Sequence, residues 1–102
     1  MLAALFDGLG ARWSTTQIWI ASEFGRTAAE NGTGGTDHGT GGVALQLSGR
    51  SLGAPLAGDW PGLSPGARFE GRDLRPTTDL HAAVHGSLEA HFDRPLPPLL
   101  SR

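Results

Sequence analysis

Gln17-Ile18-Trp19-Ile20-Ala21 is the run whose reading decides the fold. Its near-continuous apolarity, with β-branched and aromatic side chains, predicts a strand covered on both faces. Upstream, Leu2, Leu5, Phe6 and Leu9 recur at i, i+3, i+4 and i+7, the spacing of one helix face. Gly8 and Gly10 suit the end of a short helix over Leu2–Leu9. Downstream, residues 22–42 are almost devoid of apolar side chains. Asn31-Gly32-Thr33-Gly34-Gly35-Thr36-Asp37-His38-Gly39-Thr40-Gly41-Gly42 predicts a long loop, neither helix nor strand. Val43-Ala44-Leu45-Gln46-Leu47 resumes β patterning as a second strand.

Farther along, Asp59-Trp60-Pro61-Gly62 reads as a turn, with Pro at its second position. Thr77-Thr78-Asp79 offers an N-cap, and Leu80, Val84, Leu88 and Phe92 repeat every four residues, predicting a packed helix over Asp79–Phe92. Pro95, Pro97 and Pro98 stop it, so residues 1–94 form one unit and 95–102 a Pro-rich tail. Helix, strand, Gly-rich loop, strand, helix implies α/β layering with a parallel sheet. Two or three strands cannot make such a sheet with both faces covered. The expectation is that the missing partners lie upstream of Met1.

The apolar supply is thin. Leu, Ile, Val and Phe total 22 of 102 residues, near the level of about a fifth below which disorder sets in. Sixteen glycines and seven prolines leave much of the chain to loops. A net charge of −2, with eight scattered arginines, argues against nucleic acid as a partner. No apolar run approaches the length of a membrane span, and nothing at the N-terminus resembles an export signal. With no cysteine, any metal must be held by His, Asp or Glu.

Candidate chemistry falls at the strand ends. Ser22-Glu23-Phe24-Gly25-Arg26 follows the best strand, where open α/β sheets place their functional groups. Glu23 there is either a ligand for a divalent cation or a loop carboxylate paired with Arg26. Asp37-His38, flanked by glycines that let the backbone pass close to an ion, suits zinc, manganese or iron, or is an incidental part of a flexible linker. Asp59 and Asp73 read as turn residues. His81, His85 and Glu89 form an i, i+4, i+8 row that reads as a solvated helix flank rather than a ligand set. No phosphate-binding glycine motif and no G-x-S-x-G elbow occurs, which argues against a nucleotide site and a serine hydrolase.

Ile18-Trp19-Ile20-Ala21-Ser22-Glu23-Phe24-Gly25-Arg26-Thr27, Glu30-Asn31-Gly32 and Gly35-Thr36-Asp37-His38-Gly39 together resemble a bacterial family called domain of unknown function 1501. The resemblance continues through Gly58-Asp59-Trp60-Pro61-Gly62-Leu63, Glu70-Gly71-Arg72-Asp73-Leu74 and Thr77-Thr78-Asp79. That family resembles a branch of the alkaline phosphatase and sulfatase superfamily, which implies a partial alkaline-phosphatase-like sheet here. It also implies metal roles for Glu23 and His38, with Asp37 ligating or orienting the imidazole, and an anion-facing Arg26. Phe24 stands where the superfamily has a ligand His. The implied cofactor is a divalent metal, zinc or manganese.

Relatives of this kind are longer and commonly exported. The expected function is therefore a fragment of a metal-dependent phosphate or sulfate ester hydrolase-like protein, inactive alone. It would self-associate or pair with a missing N-terminal portion. The alternative is a non-catalytic α/β remnant that binds partners by sheet-edge pairing.

Overall fold

In the computed structural model, residues 1–50 and 56–98 are described. The elements are α1 (Leu2–Leu9), a 3₁₀ turn (Gly10–Thr15), β1 (Gln17–Ile20), β2 (Gly25–Arg26), β3 (His38–Gly39), β4 (Leu45–Ser48), a 3₁₀ turn (Pro65–Ala67) and α2 (Leu80–Phe92). Helices and small antiparallel sheets make this a mixed α/β chain. β1 pairs with β4 in antiparallel register, Gln17 opposite Ser48 and Ile20 opposite Leu45.

The parallel sheet expected from helix–strand alternation is not formed. β1 and β4 pair as a two-stranded antiparallel ribbon, and β2 with β3 makes a second one. The stretch 31–42, expected to be neither helix nor strand, thus contributes β3, while β2 lies in the polar segment just before it. Glycine supplies the reason: without side chains at Gly25 and Gly39, two backbones come close enough to exchange hydrogen bonds.

Pairing and alternation divide the β1/β4 ribbon into two faces. Ile18, Ile20, Leu45 and Leu47 share one face, and Gln17, Trp19, Gln46 and Ser48 the other. α2 meets the polar face: Gln46 Nε2 donates to Ser87 Oγ at 2.5 Å, and Ser87 Oγ donates to Gln17 Oε1 at 3.2 Å. That same Gln17 oxygen accepts from Trp19 Nε1 at 2.8 Å. α1 does not lie on the sheet as expected. Phe6 packs edge-on against Trp13 of the following turn instead, ring centroids 5.3 Å apart.

Both helix boundaries follow from local chemistry. Asp79 caps α2 by accepting from the amides of His81 and Ala82, an arrangement worth about 1 kcal/mol. α2 ends at Asp93 in left-handed geometry, φ 53°, and Arg94 N donates to Glu89 O. The His85–Glu89 row is not simply solvated. His85 Nδ1 lies 2.9 Å from Glu89 Oε1, its Nε2 lies 2.9 Å from the carbonyl of Leu96, and Leu96 N donates to Glu89 Oε2. These contacts fold the start of the tail back on the helix.

No apolar side chain is fully buried among the described residues. The accessible surface is 7561 Å², against about 5,500 Å² for a compact chain of this mass. The radius of gyration is 16.6 Å, against about 13 Å for a compact chain of this length. Burial concentrates instead in a polar centre.

Candidate functional site

Three segments remote in sequence meet at that centre: residues 25–28, 37–41 and 69–75. β2 pairs with β3, Gly25 opposite Gly39 and Arg26 opposite His38. Arg26 N donates to Gly41 O at 2.9 Å, Leu74 N to Arg26 O at 3.1 Å, and Gly41 N to Leu74 O at 3.0 Å. Each backbone therefore bonds to both others. Thr27 opposes Asp73 in an antiparallel bridge, and Ala28 N donates to Arg72 O. The third segment turns at Glu70-Gly71, both with positive φ (53° and 72°), as mirror-image hairpin turns require.

Glycines make the crossing possible. A Cβ on Gly41 would lie 2.5 Å from Leu74 O and 3.0 Å from Pro76 N, and one on Gly39 would lie 2.6 Å from Arg26 C. One on Gly25 would overlap Gly41 O. These are backbone atoms with nowhere to go.

Asp73 sits at the middle, 2% exposed. This overturns the reading of Asp73 as a turn residue. Its carboxylate accepts from Arg72 Nε at 2.6 Å, Arg72 Nη2 at 3.3 Å and Thr40 Oγ1 at 2.7 Å. The hydrogen bond from Arg72, then that from Thr40, holds this carboxyl below the ordinary carboxylate range against the opposing effect of desolvation. The same pairing raises the Arg72 guanidinium. Thr27, 6% exposed, bonds through Oγ1 to Ala29 O and accepts from Asp37 N.

The residues singled out in the sequence lie on the rim. Glu23 occupies a tight turn in which Ser22 Oγ accepts from Phe24 N and sits 3.5 Å from Glu23 Oε2. Asp37 Oδ1 accepts from Asn31 Nδ2 at 3.0 Å. Asn31 organises its whole loop, because its Oδ1 accepts from Thr33 N, Thr33 Oγ1 and Gly35 N. The His38 ring stacks on Phe24, centroids 4.2 Å apart and planes 9° from parallel.

Register places Arg26 and His38 on one face of their ribbon, both exposed. Among the described residues no hydrogen bond or ion pair engages either side chain. Nor do those residues contain a group of three or more His, Asp or Glu placed to hold a metal ion. Glu23, Asp37 and His38 therefore do not form a three-ligand group among the described residues.

A family model described as a protein of unknown function (DUF1501) matches residues 1–96. The chain belongs to this family. No curated protein and no solved structure matches it. In this DUF1501 chain, three of the motif segments that carry the resemblance, residues 18–27, 35–39 and 70–74, supply the backbones that cross at Asp73. Thr40, Thr27 and Asn31 were given no role from the sequence, and Asp73 was read only as a turn residue. The available signal was the clustering of glycines at 25, 39 and 41, which marks close backbone approach.

Proposed function

We propose that this DUF1501 chain contributes the anion-facing edge of a phosphate- or sulfate-ester hydrolase-like site of the alkaline phosphatase and sulfatase kind. The observation that carries the reading is the pairing of Arg26 with His38. Two side chains without a hydrogen bond or ion pair among the described residues, one a permanent cation, stand opposite each other on the crossed backbone. Arg26 offers a fork of N–H donors that matches two oxygens of a phosphate or sulfate group. His38, oriented by its stack on Phe24, presents ring nitrogens to the same face. Asp73 and its partners act beneath them as positioning groups, through the backbone of residues 25–27 and 39–41.

Zinc or manganese belongs to this reading only through donors beyond those described. Asp37 is engaged by Asn31, and Glu23, Asp37 and His38 do not fit a closed site on their own. No proton or bond rearrangement is therefore assigned to a metal here. The test is an NMR titration with inorganic phosphate, repeated with zinc present. Phosphate should shift the Arg26 side-chain and His38 ring signals, and Arg26→Ala should weaken binding about tenfold, the lower end for a charge-assisted hydrogen bond. Absence of any shift at these two residues would reject the reading.

A second reading, an interaction module working by strand addition, is favoured by the β1/β4 ribbon. Both of its strands are edges, and Leu45 on its apolar face is 55% exposed. Sedimentation should then show concentration-dependent self-association, weakened by placing a charge on that face with Leu45→Lys. A monomer at all accessible concentrations would dispose of self-pairing.

A further inference from the structure

Asn31 is the sole asparagine in the chain, and a glycine, Gly32, follows it. Its side-chain amide pins the loop between β2 and β3. Nδ2 donates to Asp37 Oδ1 at 3.0 Å, while Oδ1 takes donors from Thr33 N at 3.0 Å, Thr33 Oγ1 at 2.9 Å and Gly35 N at 3.0 Å. The residue that follows has no side chain, nothing within 4 Å of where one would stand, and an amide N–H that makes no hydrogen bond among the described residues. Asparagine is a thermolabile residue, and here an unobstructed glycine follows it while three donors face its side-chain oxygen.

We propose that Asn31 is a site of spontaneous deamidation, and that its conversion releases the loop that carries Asp37 and His38. Gly32 N attacks Asn31 Cγ, forming the N–Cγ bond of a succinimide. The Cγ–Nδ2 bond breaks, and Nδ2 leaves as ammonia, carrying the proton that Gly32 N gives up. Negative charge gathers on Oδ1 during the attack, where three donors already point, the arrangement that stabilises an oxyanion. Water then opens the imide at either carbonyl, giving aspartate or isoaspartate. No oxidant or reductant is needed.

The consequence follows from the lost donor. An amide that gave a hydrogen bond to Asp37 becomes a carboxylate beside a carboxylate, and like charges at that spacing repel. Asp37 is joined by its backbone to Thr27, whose amide donates to Asp37 O at 3.0 Å and whose hydroxyl accepts from Asp37 N. The disturbance therefore runs to His38 and stops short of α2, which shares no hydrogen bond with this loop among the described residues.

The experiment is incubation of the purified chain at mildly alkaline pH, with peptide mass spectrometry and amide NMR at intervals. The expected result is accumulation of the acid form at residue 31, part of it isoaspartate, with matching loss of the native Asp37 and His38 amide signals. Gly32→Ala should slow the conversion several-fold by crowding the attacking nitrogen, and Asn31→Asp should reproduce the loop shifts from the outset with α2 signals unchanged. An unmodified residue 31 after prolonged incubation would overturn the proposal. So would Asn31→Asp with native Asp37 and His38 signals, or with α2 lost as well.

Discussion

Gly41→Ala is expected to destroy the three-segment crossing, whereas Gly8→Ala is expected to stabilise the protein. The two substitutions add the same methyl group. At Gly41 it meets the carbonyl oxygen of Leu74 at 2.5 Å and the nitrogen of Pro76 at 3.0 Å, and neither can rotate away. Overpacking costs about 1–3 kcal/mol even where side chains can adjust, and more against backbone. Small domains hold only about 5–15 kcal/mol in total, and a chain with no fully buried apolar side chain among its described residues stands at the low end of that range. At Gly8, inside α1, nothing lies within 4 Å. Alanine there gains about 0.5–1 kcal/mol from reduced unfolded-state freedom. Amide dispersion and denaturant midpoints separate the cases, and a Gly41→Ala variant with native dispersion would show that the segments do not cross as described.

Asp73→Ala is expected to be the most damaging truncation of a side chain. It strips Arg72 and Thr40 of their shared acceptor and empties the space of a carboxylate that is itself buried. Asp73→Asn keeps an acceptor but loses the charge, so it should fall between Asp73→Ala and the parent. Thr40→Val removes a single donor and should lower the melting temperature by on the order of 5 °C. The pH dependence has a definite sign. Because the folded protein holds the Asp73 carboxyl below its ordinary range, its stabilisation is fully present above the unfolded value near 4 and is lost as pH falls through and below that value. Acid titration of the parent should therefore show a loss of stability below about pH 4 that is reduced in Asp73→Asn. Equal acid sensitivity in the two proteins would count against this role for Asp73.

The helices were legible because their causes are local. Leu2, Leu5, Phe6 and Leu9 define a face without reference to anything remote, and Asp79 caps α2 by accepting from the amides two and three residues ahead of it. The strand at Gln17–Ile20 was legible too, and its partner was displaced by two residues at its start, from Val43 to Leu45. Strand direction was not. Parallel pairing was inferred from helix–strand alternation, which constrains only sheets whose crossovers are helical, and the link from β1 to β4 holds no helix. The apolar run at Ile18–Ile20 still has an apolar face, shared with Leu45 and Leu47, although only one face of the ribbon is apolar.

The site was legible in part. Arg26 and His38 were picked out separately, and only the pairing register shows that they share a face. Asp73 could not be weighed from its neighbours, because its partner Thr40 lies 33 residues away. Asp37 proved to be tied to Asn31, a residue whose role depends on a turn that composition does not describe.

The crossing at Asp73 also bears on how the chain reaches this state. Its longest-range bonds join residue 27 to residue 73, so the intervening segment must be gathered into a closed loop before these form, whereas the β2–β3 bonds close a far shorter one. The entropic cost of that closure comes before the hydrogen bonds that offset it, and it grows only as the logarithm of loop length. α1 and α2 need no such closure and can flicker in and out within about a microsecond. Assembly of the crossing is then the slow event, and both helices form and dissolve many times while waiting for it.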